Sequence, residues 1–121
     1  MICLAAGTVA VMLATQSFTL TWVHSVEHTE IQEDYRQEGE GLRLTDARIR
    51  GSGAGFDPPA GAQLANGWWH YRPHLSLEAV TLARADAPGD WMLCFDGTCR
   101  SLEAYLTRAQ PDQPARIAAC R

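Results

Sequence analysis

The sequence predicts an all-β fold: an antiparallel sandwich or small open barrel of about six to eight short strands, with one short C-terminal helix. Three observations predict it. Apolar and polar residues alternate regularly from Phe18 to Trp22, and the parity carries on to Val26. Tight-turn dipeptides, Asn66-Gly67 and Asp96-Gly97 among them, punctuate the chain at short intervals. Helical spacing of apolar residues is confined to one stretch, Ser101 to Ala109.

The first strand reads FTLTWVHSV, with Phe18, Leu20, Trp22, His24 and Val26 on one parity and Thr19, Thr21 and Ser25 on the other. Successive side chains of a strand point to opposite faces, so this is a half-buried strand. Thr29 to Glu38 continues extended and more exposed, with Ile31 and Tyr35 on one face among acids. Gly39-Glu40-Gly41 is a turn, and Leu42 to Arg50 the next strand. There the parity breaks: Leu42 and Leu44 share a face, whereas Ala47 and Ile49 fall on the other. A bulge near Thr45-Asp46 restores one apolar face.

Gly51 to Gly61 is a glycine-dense connection carrying Pro58-Pro59, which excludes helix. After Asn66-Gly67, Trp68 to Arg72 forms a strand that is aromatic on both faces and therefore expected to be covered on both sides. Pro73 ends it. Leu77 to Arg84 and Trp91 to Phe95 follow, separated by the turn Ala87-Pro88-Gly89-Asp90. The expected core includes Leu20, Trp22, Val26, Leu44, Leu82 and Leu93. Ser101 is placed to cap a helix with Leu102, Tyr105 and Leu106 on one side.

Four cysteines stand at 3, 94, 99 and 120. A two-residue type I′ turn at Asp96-Gly97 makes Phe95 and Thr98 a cross-strand pair and sets Cys94 opposite Cys99, their Cα atoms ~4.5 Å apart. That geometry suits a disulfide, and a disulfide implies an oxidising compartment. Cys3 and Cys120 pair only if the N-terminal segment is retained. No CxxC or Cys/His knuckle points to zinc.

The expected organisation is an apolar, signal-like or anchoring segment at 1–15, a single β domain at 16–109 and a trailing tail at 110–121. Ile2 to Ala14 is about thirteen residues of apolar chain, short of the roughly twenty a spanning helix needs, and fits a secretory h-region. Export to the periplasm or cell envelope, with possible membrane association through the N-terminus, is the localisation this suggests.

The chain of 121 residues is 46% apolar and 20% charged, with a net charge of −4. Such a balance is that of a globular domain without the basic face of a nucleic-acid binder. No lysine occurs; all 10 basic residues are arginine, which removes Schiff-base and P-loop chemistry.

Several segments together resemble the bacterial domain-of-unknown-function 1850 family. They are Trp22-Val23-His24-Ser25-Val26-Glu27, Arg48 through Gly55 with Pro58-Pro59, Gly67-Trp68-Trp69 with Tyr71-Arg72-Pro73, and Trp91 through Cys99. His28 stands where that pattern has a lysine. The resemblance implies a small bacterial envelope protein encoded beside TRAP transporters of the type with a TAXI binding protein. It implies a transporter subunit or its solute-binding protein as partner, and it brings no established activity or catalytic residues; no cofactor is expected.

Ligand or partner candidates are His24, Ser25, Glu27, Ser52, Gly53, Trp68, Trp69 and Arg72. His24 and Ser25 are adjacent in a strand and point apart, so they do not form a base–nucleophile pair. His24 lies on the apolar face, where a packed, hydrogen-bonded ring is expected. His24 and His28 are ~13 Å apart along a strand at ~3.3 Å per residue, too far to share a metal. Of Trp68 and Trp69 one faces the core, and the outward one is a candidate for an interface. The favoured function is a non-enzymatic interaction domain. The alternative is a small-ligand binder or enzyme with a pocket around His24, Glu27 and the Gly51–Gly55 loop.

Overall fold

The computed structural model describes residues 1–23, 29–50, 59–84 and 91–121. Its strands are β1 (Ile2–Ala6), β2 (Val9–Leu13), β3 (Ser17–Val23), β4 (Glu30–Glu38), β5 (Gly41–Arg50), β6 (Gln63–Ala65) and β7 (Trp68–Tyr71). After them come β8 (Leu75–Leu77), β9 (Ala79–Leu82), β10 (Met92–Phe95), β11 (Thr98–Ser101), the single-turn helix α1 (Leu102–Tyr105) and β12 (Ala115–Ala119). A four-stranded sheet has the order β2-β1-β12-β9. The larger sheet has the order β11-β10-β3-β4-β5-β7-β6, with β8 also paired to β5. All pairings are antiparallel, and the two layers form a sandwich rather than a closed barrel.

The core lies between the layers. Ile2, Leu4, Ala115 and Ile117 of the small sheet meet Phe18, Leu20, Leu44 and Leu93 of the large one, and Leu102 and Leu106 close one side. Phe18 and Tyr35 stack across β3 and β4 with ring centroids 5.1 Å apart. Such a pair contributes about 0.5–1.5 kcal/mol beyond its buried area. Of the expected core residues, Leu20, Leu44, Leu82 and Leu93 are buried. Trp22 packs against the core while half-exposed, and Val26 lies outside the described residues.

The parity break in β5 is a bulge. Asp34 pairs with Asp46 and Tyr35 with Leu44, so Thr45 is the extra residue, and Leu42, Leu44, Ala47 and Ile49 all become buried.

The two ends of the chain are more structured than their composition suggested. Ile2, Leu4 and Ala6 alternate inward, and the chain reverses at Gly7 with φ +59°, where a Cβ would collide with the Gln113 side chain. The apolar run Ile2–Ala14 is therefore a hairpin in the small sheet. Its small and β-branched residues suit a strand as well as a leader. The trailing segment likewise supplies β12, the strand between β1 and β9. Cys3 and Cys120 join these neighbours, with Cα atoms 5.0 Å apart. Leu77 to Arg84, expected as one strand, divides at Glu78: β8 stays on the large sheet and β9 crosses to the small one. Through these extra pieces the strands among the described residues exceed the six to eight expected.

The hairpin of β10 and β11 turns at Asp96 (φ 51°) and Gly97 (φ 77°), which pairs Phe95 with Thr98 and Cys94 with Cys99. The two cysteines are bonded, with Cα atoms 4.0 Å apart. Ser101 caps α1, its Oγ accepting a hydrogen bond from the Ala104 N–H at 3.1 Å. Among the described residues no helix is long and apolar enough to cross a membrane.

Candidate functional site

Antiparallel register sorts the side chains of the large sheet into two faces. On the face toward the small sheet, one row runs Trp22, Ile31, Ile49, Trp69 and Leu64 from β3 to β6. The adjacent row runs Leu93, Leu20, Glu33, Ala47 and Tyr71. Cover thins toward β6. Leu20 is fully buried, whereas Leu64 is 60% exposed. Trp91 packs tilted against Trp22, ring centroids 4.4 Å apart, and donates its indole N–H to the Ala83 carbonyl at 2.9 Å.

Glu33 is the anomaly in this apolar register. Burial raises its carboxyl above the ordinary glutamate value, only partly offset by a 3.0 Å hydrogen bond donated by the Tyr35 hydroxyl. Burial likewise pushes the Tyr35 hydroxyl well above its usual range, and the Glu33 carboxylate pushes it further. Tyr71 is raised by burial and by the same carboxylate. Glu33, Tyr35 and Tyr71 thus form one electrostatic group on the inner face. Glu33 shares parity with Ile31 and Tyr35, so the sequence held a signal for it: an acid in an apolar register.

The outer face carries a polar network. Arg48 donates to Asp34 through both terminal nitrogens, at 2.8 and 3.0 Å, and through Nε to Gln32 Oε1 at 2.9 Å. Thr19 Oγ1 donates to the same carboxylate at 2.7 Å. Burial by itself would raise the Asp34 carboxyl, but the hydrogen bonds from Arg48 and Thr19 together hold it below its ordinary value. Beside the network a cleft of about 810 Å³ is lined by Asp46, Arg48, Gln63, His70 and Arg72. Arg72 faces Asp46 at 3.5 Å and is 77% exposed, a surface pair that contributes little. Each arginine already has a carboxylate partner, so the cleft is mixed in charge.

Trp68 and Trp69 face opposite ways, as strand geometry requires. Trp69 lies opposite the buried Ile49, while Trp68 points outward with the Arg50 guanidinium 5.7 Å from its ring. Neither indole is fully buried, and His70, which follows them, is exposed. The expectation that both sides of this strand are covered is corrected: β7 lies next to the edge strand β6, beyond the core shared with the small sheet.

The candidates His24, Ser25, Glu27, Ser52 and Gly53 lie outside the described residues, as does the rest of the Gly51–Gly55 loop. The described strands from which they depart end together: Val23 of β3 pairs with Glu30 of β4, and Arg50 of β5 with Trp68 of β7. Trp69 and Trp22 belong to rows at that same end. Among the described residues no three His, Cys, Asp or Glu side chains gather as metal ligands.

No curated protein and no solved structure matches the chain. A family match covers residues 18–102, from within β3 through β11, and leaves β1, β2 and β12 outside it. The match spans more than half of the sequence and includes every segment that carried the resemblance. The chain belongs to the family described as Domain of unknown function (DUF1850).

Proposed function

We propose that this protein is a non-enzymatic interaction domain of the cell envelope, exported to the periplasm, whose partner is a subunit of a TAXI-type TRAP transporter or its solute-binding protein. The compartment is supported by the cysteines, all four of which are bonded in pairs. Such bridges persist where the surroundings are oxidising. The observation that carries the interaction reading is Trp68. An outward indole beneath an arginine, with Val23 at 57% exposure three strands away at the same sheet end, offers the aromatic and arginine side chains that are enriched at interfaces.

The test is affinity purification from native membranes with parent and Trp68→Ala protein side by side. Recovery of TRAP subunits with the parent, reduced at least tenfold by Trp68→Ala at unchanged melting temperature, is the expected result. Equal recovery with both proteins would remove Trp68 from the interface, and no TRAP subunit with either would end the transporter reading.

A second reading, a small-ligand binder or enzyme, is favoured by Glu33. A carboxyl held on an apolar face within electrostatic reach of Tyr35 and Tyr71 is an arrangement that could recognise a polar group on an otherwise apolar ligand. A thermal-shift screen of periplasmic metabolites distinguishes the two. A ligand that stabilises the parent but not Glu33→Gln belongs to this second reading.

A further inference from the structure

Among the described residues the small sheet has an open edge. There β2 is hydrogen-bonded to β1 on one side only, so every second residue from Val9 to Leu13 presents its N–H and C=O away from the sheet. Exposed edges invite pairing with another chain, and proteins blunt them with short strands, charges, prolines or bulges. The other edge strands follow that rule. β6 and β8 have 3 residues each, β9 has 4, and β11 has 4 with Arg100 among them. β2 has 5 residues, Val-Ala-Val-Met-Leu, in unbroken register with β1. No charged residue and no proline occurs anywhere before Glu27. Alongside Thr8 to Val11 the edge opens onto a cleft of about 420 Å³ that reaches Tyr105 and Arg108. Met12 is 67% exposed, one of the largest apolar exposures on the molecule.

We infer that β2 pairs with β2 of a second copy, antiparallel about a two-fold axis through Val11, so that two four-stranded sheets become one continuous sheet. The strand is complementary to itself in this register. Val11 meets Val11, Val9 meets Leu13, and the small Ala10 meets the long Met12, so no charge opposes a charge at any position. A two-fold interface requires that kind of self-match. The covered side of the joined strands would carry Val9, Val11 and Leu13, which already pack on the core, and the open side Ala10 and Met12. Neutrality favours this occupant over a charged peptide, because nothing on the strand itself answers a charge. The inference is independent of the transporter reading, since β2 lies outside the large sheet that carries Trp68.

Sedimentation velocity of the full, oxidised chain, from low micromolar to millimolar concentration, tests it. The expected result is a concentration-dependent rise to twice the monomer mass, abolished by Met12→Lys, which adds a gatekeeper charge at an exposed position. Ala10→Arg serves as a second variant should Met12→Lys fail to fold, and hydrogen exchange provides a second measurement. Amides of Val9 to Leu13 should exchange more slowly as the parent is concentrated. A parent that stays monomeric throughout overturns the inference. So does a dimer that persists in the charged variants with unchanged exchange in β2.

Discussion

Glu33 and Asp34 are adjacent carboxylates with opposite fates, because successive strand residues face opposite sides of the sheet. Glu33 points into the apolar layer and titrates high; Asp34 points outward to Arg48 and Thr19 and titrates low. The two therefore act on stability with opposite sign. For Glu33 the folded value lies above the unfolded one. Its penalty is absent below the ordinary glutamate range and grows as pH rises through the raised folded value. Glu33→Gln, which keeps an acceptor for Tyr35, is expected to raise the melting temperature near neutral pH and to lose that advantage in acid. Asp34 is depressed, so its contribution is complete above the ordinary aspartate value and fades as pH falls through the lowered one. Arg48→Ala is expected to cost about 1–3 kcal/mol at neutral pH, since it leaves a carboxylate partly buried without its charged partner. It should also flatten the acid limb of the stability profile. Melting curves of parent and both variants between pH 3 and pH 7 check the pair. Arg48→Lys is expected to recover only part of the loss, because an ammonium cannot make the two-pronged contact.

Among the elements, the bulge in β5 and the hairpin at Asp96-Gly97 were both readable from sequence, for local reasons. A parity break has one cheap remedy, an extra residue, and Thr45 is that residue. Deleting Thr45 should leave Leu42, Leu44, Ala47 and Ile49 on one parity of a regular, unbulged strand. The expected outcome is retained cooperative unfolding, seen as a sharp thermal transition, whereas a broad transition or insoluble protein would show that the bulge itself is required. Asp-Gly turns likewise determine their own register, which fixed the partner of Cys94. What stayed hidden was non-local. The run Ile2–Ala14 has the composition of a leader, and only its pairing with β12 reveals strands. Residues 115–119 are too short and too rich in alanine to announce a central strand before their neighbours are known. Glu33 was visible as an acid among apolar residues, but its link to Tyr71 depends on β5 lying between β4 and β7.

For the molecule as a whole, stability is divided between the sandwich core and two bridges of very different reach. Cys94 and Cys99 are 5 residues apart, so their bond restricts the unfolded chain by about 2 kcal/mol. Cys3 and Cys120 are 117 apart, and the same entropic estimate gives about 5 kcal/mol. Replacing Cys3 and Cys120 together by serine should therefore lower stability by clearly more than replacing Cys94 and Cys99. Urea unfolding of the two double variants measures the difference. Leu20→Ala, in the fully buried centre of the large sheet, should cost about 2–5 kcal/mol in either background.

The outer bridge also changes how the protein responds to cutting and to force. With Met1 O accepting the Cys120 N–H at 3.0 Å and Cys3 bonded to Cys120, the backbone between them is a covalent ring. A protease that cleaves once within that ring, outside the short Cys94–Cys99 loop, releases nothing until the thiols are reduced. The nicked molecule should keep its mass apart from one added water. Tension applied to residues on either side of the bridge runs from sulfur to sulfur and bypasses the strands. In a pulling experiment the oxidised protein should extend by almost nothing, and the reduced protein by nearly its full contour length.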